Sequence, residues 1–393
     1  MRCQPVSLPA EIRQLYKHPG PFATVYFDGS RTTEQGQHEV ELRWRRLRSE
    51  LQRAGAEETV LTAMDGAVNS DVSAGGRHGH LVVADADGVL LLDETTDEPP
   101  LREYAAWSRL PHLMPFLARR SEVVPHVVVL ADRAGANIYV NTGNSEAKLN
   151  RERPESLSGP DQQPIHKTGR DTWSERHFQN RVDNSWAENA ADVAESVSQH
   201  VKEVAAQLVL VAGDVRARTL VLEAVAERVP PAVEITETAA GGRADGAALE
   251  PIEQAVHDAI LRIRWRHRRA VLERLRQGVG RGDYAVAGIE PVLQALRNGQ
   301  VETLVISDDP SSTERAWIGN EPLQLARDRE QLSQYGVSEP VSDRLDAALV
   351  RAVAGSAADL LITPNAHAYL DGGIGATLRY PTPQASTEPA STQ

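Results

Sequence analysis

Apolar and polar positions alternate along this chain in segments of clearly different period. PFATVYFDGS, Pro21 to Ser30, is a β-rich run closed by Asp-Gly, and ELRWRRLRSELQRAG after it spaces Leu42, Trp44, Leu47 and Leu51 as a helix would. HLVVADADGVLLLDE, His80 to Glu94, predicts a hairpin closed at Asp87-Gly88. A second hairpin is predicted from Val127–Ala131 and Ala136–Val140 around a turn at Arg133–Gly135. A polar stretch, 141 to 172, separates it from a long helix whose stripe is Val182, Trp186, Val193, Val197, Val201, Val204 and Leu208. LVLVAGD, Leu208 to Asp214, is a short apolar run that fits a buried strand, and Arg218 to Val229 is helical in pattern. Thr238 to Pro251 is small and glycine-rich and predicts a linker or mobile loop.

The last third opens with a helix, Ile252 to Gln277, that carries the basic run RIRWRHRR. EPVLQALRNG predicts a helix stopped at Gly299, and VETLVIS, Val301 to Ser307, a buried strand. Asp343 to Gly355 predicts a helix capped by Ser342, and DLLITP, Asp359 to Pro364, a further strand. The glycines of GDYAVAG and LDGGIGATLRY read as backbone turns, because neither ends in the Gly-Lys-Ser/Thr of a phosphate loop. Expected boundaries are 1–120, 121–245 and 246–380, with a disordered tail at 381–393.

Composition narrows the function. A net charge of −13 over 393 residues excludes coating of nucleic acid through bulk charge and leaves room only for local basic patches. Cys3 is the only cysteine, so neither an internal disulfide nor a cysteine metal cage is expected. No apolar run reaches the ~18 residues of a membrane span, and the first residues lack a signal-peptide core. A cytoplasmic monomer with no membrane partner is expected.

Two clusters suit RNA. HKTGRDTWSERHFQNR supplies cationic or potentially cationic contacts from His166, Lys167, Arg170, Arg176 and Arg181, stacking groups from Trp173, His177 and Phe178, and a polar amide from Gln179. Arg264 and Arg266 in RIRWRHRR are candidates for phosphate contact, though a solvated face paired with acidic neighbours fits the same run. RWRRLR, Arg43 to Arg48, has the same two readings, with Trp44 packed inward. GGRHGHL, Gly75 to Leu81, has two histidines two apart but no third ligand at matching spacing, and reads as a turn. Asp132, Asp192 and Asp214 allow a two-metal nuclease reading, against which Asp132 suits a turn and Asp214 a helix N-cap. No Ser-His-acid set is legible. No catalytic residue, metal site or cofactor is expected.

LVLVAGDVRARTLVLEAV, RGDYAVAGIEPVLQALRNGQVETLVISDD and LDGGIGATLRY, in that order, resemble the bacterial branch of the archaeal and eukaryotic release factor and Pelota family. With GPFATVYFDGS near the start, the likeness extends to the Balon-like ribosome hibernation factors. The resemblance implies an α/β fold of three domains, the middle one RNase H-like and the last L7Ae-like. It implies a ligand of the 70S ribosome A site, with the first domain toward the decoding centre and the middle one toward the peptidyl transferase centre. The last domain would meet the factor-binding side, with elongation factor Tu a companion. One departure is decisive for activity. The family's release factors carry Gly-Gly-Gln before the long helix, where this chain reads GRDTWSERHFQNR, and its Gly-Gly pairs are followed by Arg77, Arg243 and Ile374. Non-hydrolytic binding is therefore the first expectation. A peptidyl-tRNA hydrolase with a remodelled loop is the second, in which Glu175 or Gln179 would matter, and a nuclease the third.

Overall fold

The computed structural model describes residues 8–30, 36–70, 78–96, 99–100, 102–120, 123–132, 135–142, 149, 154–158, 172–240, 248–309, 312–363 and 370–381, with the backbone alone at 69–70, 93–96, 158 and 172–187. Contacts divide the chain into two compact units, one built from residues 122–267 and the other from the segments before and after it. The architecture is α/β, as expected.

In the segment before residue 122, α1 (Ala10–Leu15) leads to β1 (Phe22–Asp28), α2 (Gly36–Arg53), α3 (Glu58–Ser70), β2 (His78–Asp85), β3 (Gly88–Thr96), β4 (Tyr104–Ser108) and α4 (Met114–Arg119). The strands form one antiparallel sheet in the order β3-β2-β1-β4. Successive β1 side chains point to opposite faces. Ala23, Val25 and Phe27 pack under Trp44, Leu47 and Leu51 of α2, while Phe22 and Tyr26 join a core shared with α4 and the C-terminal segment. Trp44 is buried as expected, and its Nε1–H donates to Asp65 at 2.8 Å. Leu42 is not on that stripe; it is 46% exposed, because it falls between the buried positions 40 and 44. His78 and His80 lie in β2 and are buried, rather than in a turn, and His80 stacks on Phe27 with ring centroids 5.3 Å apart.

The unit from 122 to 267 contains β5 (His126–Asp132), β6 (Gly135–Asn141), β7 (Glu155–Ser158), α5 (Thr172–Glu203), β8 (Leu208–Gly213), α6 (Val215–Arg228), β9 (Glu234–Thr238) and the front of α7 (Glu250–Arg281). Strand order is β7-β6-β5-β8-β9, with β8 parallel to β5 and β9, and β6 antiparallel to β5 and β7. This is the RNase H-like arrangement the resemblance implies. Alternate residues of β5 and β8 serve two cores. Val127, Val129, Val209 and Val211 face α5 and α6, whereas Val128, Leu130, Leu208 and Leu210 face α7. Strands buried on both faces are apolar at nearly every position, which is why Val127 to Ala131 of β5 and LVLVAG of β8 read as unbroken runs.

Helix α5 starts ten residues earlier than Val182, so the backbone of the polar, aromatic stretch is itself helical from Thr172. It stops at Glu203; Ala205 takes the left-handed conformation (φ 50°), so Val204 and Leu208 fall beyond the helix. Of the expected linker from Thr238 to Pro251, residues 241–247 lie outside the described residues, and α7 begins at Glu250.

After residue 267, the rear of α7 is followed by β10 (Ala285–Ala287), α8 (Ile289–Arg297), β11 (Val301–Ser307), β12 (Arg315–Ile318), β13 (Leu325–Ala326), α9 (Arg329–Gln334), β14 (Val341–Arg344), α10 (Leu345–Ala354), β15 (Asp359–Thr363) and β16 (Ile374–Leu378). A mixed sheet runs β10-β16-β11-β15, and a small one β13-β12-β14. Ser342 does not cap α10. It is claimed by β14, and its Oγ accepts from Arg315 Nε at 2.9 Å, while the helix starts without a side-chain cap. Gly372 and Gly373 both have positive φ, as the turn reading of LDGGIG requires. The expected tail lies outside the described residues from 382 onward.

Gly213 sets the closest approach in the middle sheet. Its φ is 113°, and a Cβ there would sit 2.0 Å from the Ala131 carbonyl oxygen. Gly213→Ala is expected to lower the unfolding free energy by roughly 2–4 kcal/mol in denaturant titration; a loss under about 0.5 kcal/mol would contradict this packing.

Candidate nucleic-acid interface

The candidate surface is built on two helices of one unit, α5 and the front of α7. Of the cationic and aromatic positions expected to touch RNA, His166, Lys167 and Arg170 lie outside the described residues. Trp173, Arg176, His177, Phe178, Gln179 and Arg181 fall on the first three turns of α5, described as backbone. Positions 173, 177 and 181 recur every four residues and so share one side of the helix. The buried stripe of α5 runs through Ala190, Val193, Ala194, Val197 and Val201, and ties the rear of the helix to the sheet.

On α7, the buried stripe is Ile252, Val256, Ala259, Ile260 and Ile263, which leaves the other side to solvent. There Leu261 is 47% and Trp265 59% exposed, one turn apart, beside the exposed Arg262 and Arg266. Both arginines lean on one carboxylate. Arg266 is in close contact with Glu234 of β9, and Arg262 Nη2 lies 3.8 Å from it. Two guanidinium groups against one carboxylate leave a local surplus of one positive charge. Exposed pairs of this kind contribute at most ~1 kcal/mol each, so phosphate can compete for the arginines at small cost. Arg264 is half-buried. Near it His126 is buried, with Nδ1–H donating to the Val124 carbonyl at 2.8 Å. Burial pushes the His126 imidazole below its usual range, and the Arg264 guanidinium adds to this. The two expected arginines thus differ: Arg266 stands on the exposed side, and Arg264 does not stand beside it. Leu261 is the residue that sequence reasoning missed; its signal was its four-residue spacing from Trp265, off the buried stripe.

Three of the four arginines of the other basic run are paired within the fold. Arg43 meets Asp28, Glu39 and Glu103, Arg46 meets Glu50 and Glu103, and Arg48 meets Glu58 and Asp65. For Arg43, Arg46 and Arg48 the acid-paired face is the observed arrangement, and Arg45 is exposed.

The nuclease reading finds no geometry. Asp132 Oδ1 accepts from the Gly135 amide at 3.0 Å, closing the β5–β6 turn. Asp214 Oδ1 accepts from the amides of Arg216 and Ala217 and caps α6. Asp192 is exposed on α5, and among the described residues these three carboxylates do not converge. A small cleft does open where Asp132, Asn189 and Gly135 meet Ala131, Val193 and Val221, but its lining is mostly apolar.

Residues 125–281, which contain both helices, match the model of bacterial archaeo-eukaryotic release factor family 2. The uncharacterized protein Rv2629 of Mycobacterium tuberculosis is 29% identical over 94% of this chain and 96% of its own length. Among solved structures, Archaeoglobus fulgidus Pelota is 14% identical over 97% of this chain and 96% of that chain, with a TM-score of 0.36. A ribosome-bound archaeal Pelota is 14% identical over 96% of each chain, with a TM-score of 0.37. The resemblance read from the sequence is borne out over residues 125–281, which match that family's model.

Asp214→Ala is expected to cost about 1 kcal/mol of stability through loss of the cap, read by thermal or chemical unfolding. RNA incubated with the purified protein and Mg²⁺ or Mn²⁺ should stay intact; cleavage that Asp132→Asn abolishes would reverse the assignment of these carboxylates.

Proposed function

We propose that this chain is a ribosome-binding translation factor that acts by occupancy and not by hydrolysis. One observation carries the reading: the family match covers residues 125–281, the stretch that presents the α5 front and the exposed face of α7. Physical chemistry supports it. RNA recognition needs cations for phosphate and flat groups for splayed bases, and this stretch concentrates both on an otherwise acidic chain. The rear of α5 is held by the sheet, and its 32 residues span about 48 Å at 1.5 Å each, so the front can be held far from its anchor.

The absence of Gly-Gly-Gln is the support for occupancy. Hydrolysis by a tripeptide loop relies on backbone freedom that glycine supplies, and Trp173-Ser174-Glu175 on a helix lacks it. The narrower form of the proposal is that the protein occupies the A site of idle ribosomes as a hibernation or stress factor, in company with elongation factor Tu.

Co-sedimentation with 70S ribosomes at low and raised salt tests the reading. The protein should pellet at low salt and be released as salt rises. Replacing Arg170, Trp173 and Arg176 together by Ala should weaken binding about tenfold or more, and each arginine lost should flatten the salt slope by roughly 0.7. Peptidyl-tRNA should remain uncleaved. Failure to pellet with vacant or tRNA-loaded ribosomes, with and without elongation factor Tu, would overturn the reading, and release of peptide that Gln179→Ala removes would replace it with hydrolysis.

A further inference from the structure

A second cluster lies in the segment before residue 122. His18 follows α1, and its backbone amide donates to the Leu15 carbonyl at 3.1 Å, which fixes the turn. Helix α1 is itself anchored by the buried Ile12 and Leu15. Across from it the β2–β3 turn carries Asp85 and Asp87. His18 Nδ1 lies 3.1 Å from Asp85 Oδ2 and 3.7 Å from Asp87 Oδ2, and the three donor atoms all fall within 4.8 Å of one another. Asp85 is only 4% exposed. Its other oxygen, Oδ1, accepts from the Asp87 amide at 2.8 Å, so the carboxylate is held with Oδ2 turned to the imidazole. Asp87 is 76% exposed at its side chain, so the cluster opens to water on that side.

We infer that His18, Asp85 and Asp87 form a binding site for a first-row divalent cation of the zinc class. Three donors bonded at ~2.0–2.2 Å to a tetrahedral ion stand about 3.3 Å apart, close to the two separations observed. One nitrogen and two carboxylate oxygens suit Zn²⁺, Co²⁺ or Mn²⁺. Ca²⁺ asks for six to eight oxygens and Mg²⁺ for near-octahedral oxygen. Two carboxylates beside one imidazole also carry a charge that a dication balances better than a single protonated histidine. Three protein ligands leave coordination positions for water on the Asp87 side. An ion here would clip the end of α1 to the hairpin. Sequence spacing concealed the site, because His18 and Asp85 are 67 residues apart, while the histidines that stand close in sequence, His78 and His80, are part of β2.

The test uses tag-free, full-length protein stripped with a chelator and titrated calorimetrically with Zn²⁺, and with Co²⁺ read by its visible absorption. One equivalent should bind at micromolar affinity or tighter, with the absorption of a Co²⁺ ion of low coordination number and a raised melting temperature. His18→Ala and Asp87→Asn should each weaken this site tenfold or more. Asp87→Asn keeps the backbone amide that fixes Asp85 and changes an exposed group, so it remains informative if His18→Ala fails to fold. The inference is overturned by absence of binding, by affinity unchanged in Asp87→Asn, or by a preference for Ca²⁺ or Mg²⁺ over Zn²⁺. It stands independently of ribosome binding.

Discussion

Burial of the middle sheet on both faces is the constraint from which the rest follows. Strands β5 and β8 are apolar at nearly every position, so neither face can be left to water. Helices α5 and α6 must cover one face and α7 the other. Each long helix therefore spends one stripe on the sheet and is left with a second side that the fold does not need. On α7 that side displays Leu261, Arg262, Trp265 and Arg266. On α5 the packed stripe runs from Ala190 to Val201, behind the polar and aromatic front turns. The same residues that build the core thereby decide where the surface for a partner stands.

Charge works at a different scale from packing. A chain with a net charge of −13 repels a polyanion at long range, and only locally can it be attractive. The fold sorts its arginines accordingly. Arg43, Arg46 and Arg48 of α2 are matched by Asp28, Glu39, Glu50, Glu58, Asp65 and Glu103 and serve the protein's own surface. Arg262 and Arg266 share a single glutamate, and an exposed pair is weak enough to be exchanged for phosphate. Arginine content alone could not separate the two runs, since RWRRLR and RIRWRHRR look alike as text; the difference lies in the neighbours, because α2 itself and α3 bring acids to the first run, whereas β9 brings Glu234 to Arg262 and Arg266.

What was legible in the sequence follows the strength of the hydrophobic signal. Leu208–Gly213 is an unbroken apolar run and Val301–Ser307 has an apolar centre, Leu304 to Ile306, and both strands match the expected bounds closely. Short half-exposed strands such as β7 and β9 carry no such signal, and they form because a neighbour's edge is available. The front of α5 was illegible as helix for a related reason: its residues are polar, and pattern marks a helix only through what it buries. Ser342 illustrates competition, since a serine before an apolar run suits a cap until strand pairing claims it. Among the site residues, the turn role of Asp132 and the capping role of Asp214 were readable from local chemistry. The exposure of Leu261 needed the sheet on the other side of α7, and the meeting of His18 with Asp85 needed the whole tertiary fold.

The central claim is that the front of α5 meets ribosomal RNA. Electron cryo-microscopy of the protein bound to idle 70S ribosomes tests it most directly. The account predicts that the turns carrying Trp173, Arg176 and Arg181 lie against RNA of the large subunit, near the peptidyl transferase centre. Density that shows the protein bound with those turns facing solvent, and another face against the RNA, would contradict it.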